Sequence, residues 1–413
     1  SRGHRRRITR CGSAWSACAD ASSRTVGSVA PGGVTASMTG AAVAGAAVER
    51  SARARRSVRG LDPEHGFAHT PDQTLTVVTS DGLALHVEID EAASDVLPAE
   101  SHASRGRPTV VFCHGFTLNC TSWVFQRRAL SAAGYRVVSW DQRSHGRSGR
   151  SDDEHVSITQ LGRDLHDVLA AVVPEGDLVL VGHSMGGMTV MSFGGDHPDV
   201  IRDRVLAVGF VATSAGGGGL TNLGMSPFIG TLLGRVGPGV LHRLDRITDL
   251  VTRVRRVGRP IEDALVDRYS FDSPVSDTLV RFAADMIFGT SFDAMGDFVP
   301  AIESMDERES LTAFRGTEVV VINGMGDLLT PPSHSETIVD LIPGAEHVVV
   351  EDAGHLIMLE HPELVTQQIR MAIERGQMAR HENVAVERKP RVRRRITDIA
   401  RRRQVERAKE RVR

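Results

Sequence analysis

Cysteine is scarce in this 413-residue sequence, with four residues in all, Cys11, Cys18, Cys113 and Cys120. They show neither the tight spacing of a metal site nor an extracellular disulfide framework, so a reducing compartment and a cytoplasmic location are expected. Long apolar runs are also missing. The stretch Ala41 to Val48 falls well short of the roughly 20 residues a membrane-spanning helix needs, and no convincing cleavage site marks it as a signal peptide. Net charge is nearly absent, at −2. That balance is a cancellation, because residues 1–60 and 376–413 each carry +9 while residues 61–375 carry −20.

An acidic middle excludes a body that grips nucleic acid, which needs a positive face toward phosphate. The ends read differently. Residues 1–60 mix arginine clusters with Ser, Ala and Gly without sustained periodicity, which predicts an unstructured basic segment. Residues 377–413 carry the blocks Arg393 to Arg395 and Arg401 to Arg403, which predict a solvated tail. Such tails suit peripheral contact with an anionic membrane or an acidic partner.

Between them, strand and helix signals alternate. Leu75 to Val78 and Leu83 to Ile89 flank Ser80-Asp81-Gly82, a turn in which Asp-Gly supplies positive φ, and so predict a hairpin. Short Val-rich runs follow at Thr109–Cys113, Tyr135–Trp140, Leu178–Val181, Val205–Val211, Val319–Ile322 and His347–Val350, the composition of buried parallel strands. Helical periodicity separates them, clearest over Ile158–Val172. The prediction is an α/β fold, a mostly parallel central sheet with helices on both faces. Residues 216–311 carry only helical patches, at Ile229–Leu233, Ile261–Val266 and Leu279–Ile287. A loop of that length forms its own unit, so a helical cap is expected between a first core segment, 61–215, and a second, 312–376.

Chemistry enters where the strand Leu178–Val181 runs into Gly182-His183-Ser184-Met185-Gly186. A serine on a sharp strand-to-helix turn needs small residues two positions either side, where the backbone closes on its neighbours. Ser184 is therefore the candidate nucleophile. Its hydroxyl needs a base, and His355, in the loop after the last strand of the core, is the candidate; His347 falls at the strand start and His361 opens the final helix. Asp327, in the Gly-rich loop after Val319–Ile322, is the carboxylate placed to fix the imidazole tautomer. Attack on a carbonyl also requires oriented donors for the oxyanion, worth roughly 3 kcal/mol each. The backbone N–H groups of Met185 and Phe116 are the candidates, with His114 bracing the second loop. Asp141 to Ser148 reads as a structural charged turn. In the cap, Phe288 and Phe292 are candidate walls of an apolar substrate pocket.

His114-Gly115-Phe116, Asp141 to Ser148, Gly182 to Gly187, Gly326-Asp327 and Gly354-His355 occur in an order and spacing that resembles the α/β-hydrolase superfamily, specifically its capped esterase and lipase-like branch. The resemblance covers roughly residues 72–376. It implies hydrolysis of a carboxylic ester with an apolar acyl group through an acyl-Ser184 intermediate, with no metal or organic cofactor. Ser184 stands where related haloalkane dehalogenases and epoxide hydrolases have aspartate, which disfavours those chemistries. Thioesterases, C–C bond hydrolases, lactonases and cofactor-free perhydrolases share the serine triad and stay open. A non-enzymatic alternative, a scaffold acting through its basic tails, also stays open.

Overall fold

The computed structural model describes residues 66–93, 106–217 and 248–410. The basic segment 1–60, Cys11 and Cys18, and the helical patch Ile229–Leu233 lie outside the described residues. The predicted hairpin forms from β1 (Gln73–Val78) and β2 (Ala84–Asp90), paired antiparallel. Gly82 takes the positive φ of the turn, +88°. Then come β3 (Thr109–Cys113), α1 (Val124–Ala132), β4 (Val137–Trp140), α2 (Ile158–Val172), β5 (Leu178–His183), α3 (Met185–Asp196), α4 (Pro198–Arg204) and β6 (Val205–Val211). After the cap follow β7 (Glu318–Gly324), α8 (Pro332–Leu341), β8 (Glu346–Val350), the short α9 (Ile357–Glu360) and α10 (Pro362–His381).

The described strands form one nine-stranded sheet, which a further strand near the C-terminus completes. Apart from the hairpin and its antiparallel join to β4, every pairing is parallel. Period-two alternation divides the interior into two cores: Val110 and Phe112 of β3 face one, Val111 and Cys113 the other. Every residue of β5, β6 and β7 is buried, which is why these strands read as continuous valine-rich runs. Along the sheet, β3 lies between β4 and β5, so the chain leaves β3 on one side and returns on the other. At such a switch point the loops beyond the carboxyl ends of β3 and β5 diverge and leave a crevice.

Between β6 and β7 the described residues form three helices, α5 (Thr248–Ser270), α6 (Asp277–Ile287) and α7 (Phe292–Ser304). Ser276 and Ser291 start α6 and α7 by accepting the Leu279 and Ala294 amides, each at 3.2 Å.

The C-terminus departs from expectation. The predicted core ended at residue 376, followed by a solvated tail. Instead α10 runs to His381, Val392–Ile396 forms β9 parallel to β8 at the sheet edge, and α11 (Ile399–Glu410) follows. The arginines of β9 meet carboxylates of the acidic body: Arg393 with Glu336 at 2.8 Å, Arg395 with Glu351 at 2.8 Å, and Arg394 with Glu346. Like charges predict a solvated tail only when no opposite charge awaits them, and here the body supplies it. Among the described residues no helix is long and apolar enough to cross a membrane.

Candidate active site

Ser184 sits between β5 and α3 with φ +51° and ψ −119°, a conformation rare for a residue with a side chain. Its flanking glycines are sterically required. A Cβ on Gly182 would strike the Gly186 carbonyl, and one on Gly186 would strike the carbonyl of Cys113. Gly187 has the same constraint against Thr213 Oγ1, which a Cβ would approach to 2.5 Å. The Ser184 amide donates to the Val211 carbonyl at 3.0 Å, and the Ser184 carbonyl accepts the Thr213 hydroxyl at 2.6 Å, so β6 clamps the turn from the other side. Strained backbone persists where the surroundings over-determine it, as they do here.

His355 and Asp327 meet across loops from β8 and β7. His355 Nδ1 lies 2.9 Å from Asp327 Oδ2, with both side chains buried. An ionised carboxylate only accepts, so Nδ1 carries the hydrogen and Nε2 is left to take a proton. The Asp327 carboxylate is saturated: Oδ1 accepts the amides of Leu329 and Thr330 at 2.8 and 2.9 Å, and Oδ2 also accepts the Thr330 hydroxyl at 2.8 Å. Thr330 thus orients the acid and itself lies 3.3 Å from His355 Nδ1. Sequence reasoning missed it, although an Asp followed three residues later by Thr is the spacing of a local side-chain-to-backbone turn.

His183 was also missed as more than filler of the turn. Its Nε2 lies 3.0 Å from the His355 carbonyl, an acceptor, so Nε2 bears the hydrogen. The two rings stand 4.7 Å apart by centroid, which sets His355 beside the residue preceding Ser184. Burial, reinforced by the neighbouring His355, pushes the His183 pKa well down and keeps it a neutral donor.

The first turn of α3 abuts the loop after β3, since a Cβ on Gly186 would also lie 2.6 Å from the His114 carbonyl. Met185, as the first residue of α3, has an N–H with no intrahelical acceptor. Phe116 follows Gly115, where a Cβ would collide with His183 Nδ1 at 2.5 Å, so the close approach requires glycine. His114 braces this loop: its Nε2 accepts the Gln142 amide at 2.9 Å, its Nδ1 donates to the Gly115 carbonyl at 2.8 Å, and burial pushes its pKa down. The Asp141 turn is structural, its carboxylate accepting the amides of Cys120 and Arg147 at 2.7 and 2.8 Å. Arg143, fully buried, pairs with Asp164.

The two cap aromatics chosen from sequence fare differently. Phe288 is half-buried against the first core, whereas Phe292 is 37% exposed. It opens α7, on the outward side of the first turn. Phe298, two turns further, is fully buried with its ring 6.5 Å from Phe116 and 5.2 Å from His145, beside the loop after β3. A count of apolar residues in the cap could not separate these positions; helical phase within α7 does.

Comparison with known proteins agrees with this architecture. A segment of 131 residues is 37% identical to epoxide hydrolase B of Mycobacterium tuberculosis; it covers 32% of this chain and only 35% of that protein. An sn-1-specific diacylglycerol lipase of Mus musculus is 26% identical over 261 residues, 62% of this chain and 78% of the lipase. Among solved structures, a thermophilic esterase from Thermogutta terrifontis superposes with a TM-score of 0.53 at 23% identity, covering 74% of this chain and 99% of the esterase. The enol-lactonase from Burkholderia xenovorans gives 0.55 at 21% identity, covering 73% of this chain and all of the lactonase. Those two likenesses speak to the fold. Residues 108–362, most of the described body and both loops that carry the Asp327–His355 pair, match the alpha/beta hydrolase fold family, and the chain belongs to that family.

Proposed function

We propose that the protein is a serine hydrolase that cleaves a carboxylic ester of apolar acyl character through an acyl-Ser184 intermediate. The observation that carries this reading is the Asp327–His355 pair at 2.9 Å, with His355 packed against His183, the residue before a serine in strained backbone at the start of a helix. In the proposed sequence His355 Nε2 takes the Ser184 proton as Oγ attacks the ester carbonyl. The oxyanion is held by the amides of Met185 and Phe116. The tetrahedral adduct collapses as His355 returns the proton to the leaving alcohol; water, deprotonated by the same nitrogen, then releases the acid. Asp327 stays ionised and stabilises the imidazolium.

The epoxide hydrolase relative invites a different chemistry, and the nucleophile argues against it. A serine alkoxide that opened an epoxide would leave an ether, which water does not readily cleave, whereas an acyl-serine ester turns over. C–C bond cleavage remains the second reading, favoured by 26% identity over 272 residues to 2-hydroxy-6-oxo-6-(2'-aminophenyl)hexa-2,4-dienoic acid hydrolase of Metapseudomonas resinovorans, 82% of that protein. The test is labelling with a fluorophosphonate probe, with the modified residue located by mass spectrometry, followed by turnover of a panel of p-nitrophenyl esters, thioesters and vinylogous diketones. Modification at Ser184 with ester turnover supports the reading. Absence of labelling at Ser184 overturns it, and turnover of diketones alone moves it to the second.

A further inference from the structure

Five charged side chains that the proposed chemistry does not use, Glu360, His361, Asp398, Arg401 and Arg402, converge around the loop carrying His355. Glu360, fully buried at the end of α9, accepts the Gly354 amide at 2.6 Å and, on its other oxygen, the amides of Asp272 and Ser273 at 3.0 and 2.5 Å. One carboxylate therefore joins the residue before His355 to the segment linking α5 and α6 of the cap. His361 lies next to it. Its Nδ1 faces Asp398 Oδ2 at 3.0 Å and its Nε2 faces the Asp352 carbonyl at 3.0 Å. Both partners only accept, so satisfying both requires a hydrogen on each ring nitrogen, that is, the charged imidazolium.

Asp398 and the arginines that follow it come from the C-terminal extension. Asp398 Oδ1 accepts the Arg401 amide at 2.9 Å, which starts α11 and fixes its direction. Arg401 then reaches the Pro274 carbonyl at 3.3 Å, in the same cap-linking segment that Glu360 holds. Arg402 donates to Asp352 Oδ2 at 2.6 Å and pairs with Glu351 at 3.4 Å. Asp352 has φ +56°, a left-handed conformation costly for a residue other than glycine, and it begins the loop that ends at His355. The Glu351 amide donates to the Ile396 carbonyl at 2.9 Å, so the same loop is also stitched to the end of β9.

We infer that the segment from β9 through the first turn of α11 is a positioning clamp for the active site, in which Asp398, Arg401 and Arg402 hold the His355 loop and the α5–α6 segment of the cap in register. Glu360 and His361 are the body's half of the clamp. None of these groups reaches the reacting atoms; they act by fixing where His355 stands relative to Ser184. Misplacement of a base by about 1 Å costs on the order of a hundredfold in rate, so a loosened clamp reads out as a loss of kcat.

The inference rests on the serine-hydrolase reading for its activity arm and is independent of it in its structural arm. The variants are Asp398→Asn, Arg402→Gln and their combination in the full chain, with Arg402→Lys as the conservative control; Arg402 is half-exposed, so its loss leaves no buried void. With p-nitrophenyl acetate the double variant is expected to lose about tenfold in kcat with KM within about twofold. Arg402→Lys, which keeps the charge on Asp352, is expected to recover much of the loss. By hydrogen exchange, the amides of residues 351–356 and 270–274 should exchange at least about tenfold faster in the double variant, while those of β5 and β6 stay at the wild-type rate. Wild-type kcat and exchange in the double variant overturn the clamp. A parallel loss of protection across β5 and β6 also overturns it, since the segment would then be general scaffold. If the wild-type protein neither takes the fluorophosphonate nor turns over esters while the local exchange change is present, the clamp stands and the ester chemistry falls.

Discussion

The two halves of the candidate site are built in opposite ways. The Ser184 turn is enforced by steric contact: a Cβ on Gly182 would strike the Gly186 carbonyl, one on Gly186 the Cys113 carbonyl and one on Gly187 the Thr213 side chain. The His355 loop is enforced from a distance, by His183 on its carbonyl, Asp327 on its ring, Glu360 on the preceding amide and Arg402 on Asp352. A turn packed this tightly tolerates little change. A loop held by dispersed polar contacts can be loosened in steps, and the size of each step reports how much positioning each contact supplies.

Ser184→Ala breaks the comparison at its centre. It should lower ester turnover by at least about 10⁴-fold with an unchanged melting temperature, checked by p-nitrophenyl acetate kinetics and calorimetry. Gly186→Ala tests how tightly the turn packs on β3. Its methyl must displace the Cys113 carbonyl in the middle of the sheet, so both activity and stability should fall, with a destabilisation of about 1–3 kcal/mol or more in a denaturant titration. An alanine protein as stable and active as wild type would mean the turn has slack the backbone geometry denies.

On the other half, Thr330→Val removes one hydroxyl from the Asp327 carboxylate and leaves three donors in place. A fall in kcat of about tenfold with little change in KM is expected, because the acid loses orientation while the substrate sites are untouched. The His361–Asp398 pair should show itself in stability against pH. Burial disfavours the charged imidazole, but the Asp398 bond and the Glu360 charge outweigh it and raise the His361 pKa. Burial likewise opposes the Asp398 carboxylate, and the His361 and Arg401 bonds lower its pKa. A raised basic group stabilises fully below its unfolded pKa of about 6.5 and loses that stabilisation as pH climbs through the folded value. The lowered carboxylate stabilises above about 3.9 and fails on the acid side. Asp398→Asn should therefore loosen the His355 loop locally, with the amides of residues 351–356 exchanging about threefold faster than wild type near pH 5–6 while β5 and β6 keep the wild-type rate, and the difference should shrink toward alkaline pH. The smallest effect belongs to the cap. Phe298→Ala should shift the preferred acyl length of p-nitrophenyl esters, whereas Phe292→Ala should leave the profile unchanged.

What was legible in the sequence is what local chemistry dictates. Val-rich runs bounded by glycine read as buried strands because both faces of a parallel sheet are covered, and β3 and β6 fall at the predicted bounds. The helix Ile158–Val172 was readable from its spacing alone. The sharp turn at Ser184 was readable because its requirement for small neighbours is met within the motif itself, and the meeting of His355 with Asp327 because both follow strands whose order along the chain constrains their loops.

Tertiary structure decided everything that depends on partners far along the chain. Thr330 and His183 acquire roles only once the β5, β7 and β8 loops converge. Phe298 rather than Phe292 lies beside the loop after β3 because the turn of α7 that touches the body is set by packing, which composition does not encode. The C-terminal arginines look like a solvated block in sequence because the window that contains them holds few acids. Their counter-ions, Glu336, Glu346, Glu351 and Asp352, come within reach only when β9 lies alongside β8, and Coulomb attraction depends on distance in space, not on separation along the chain.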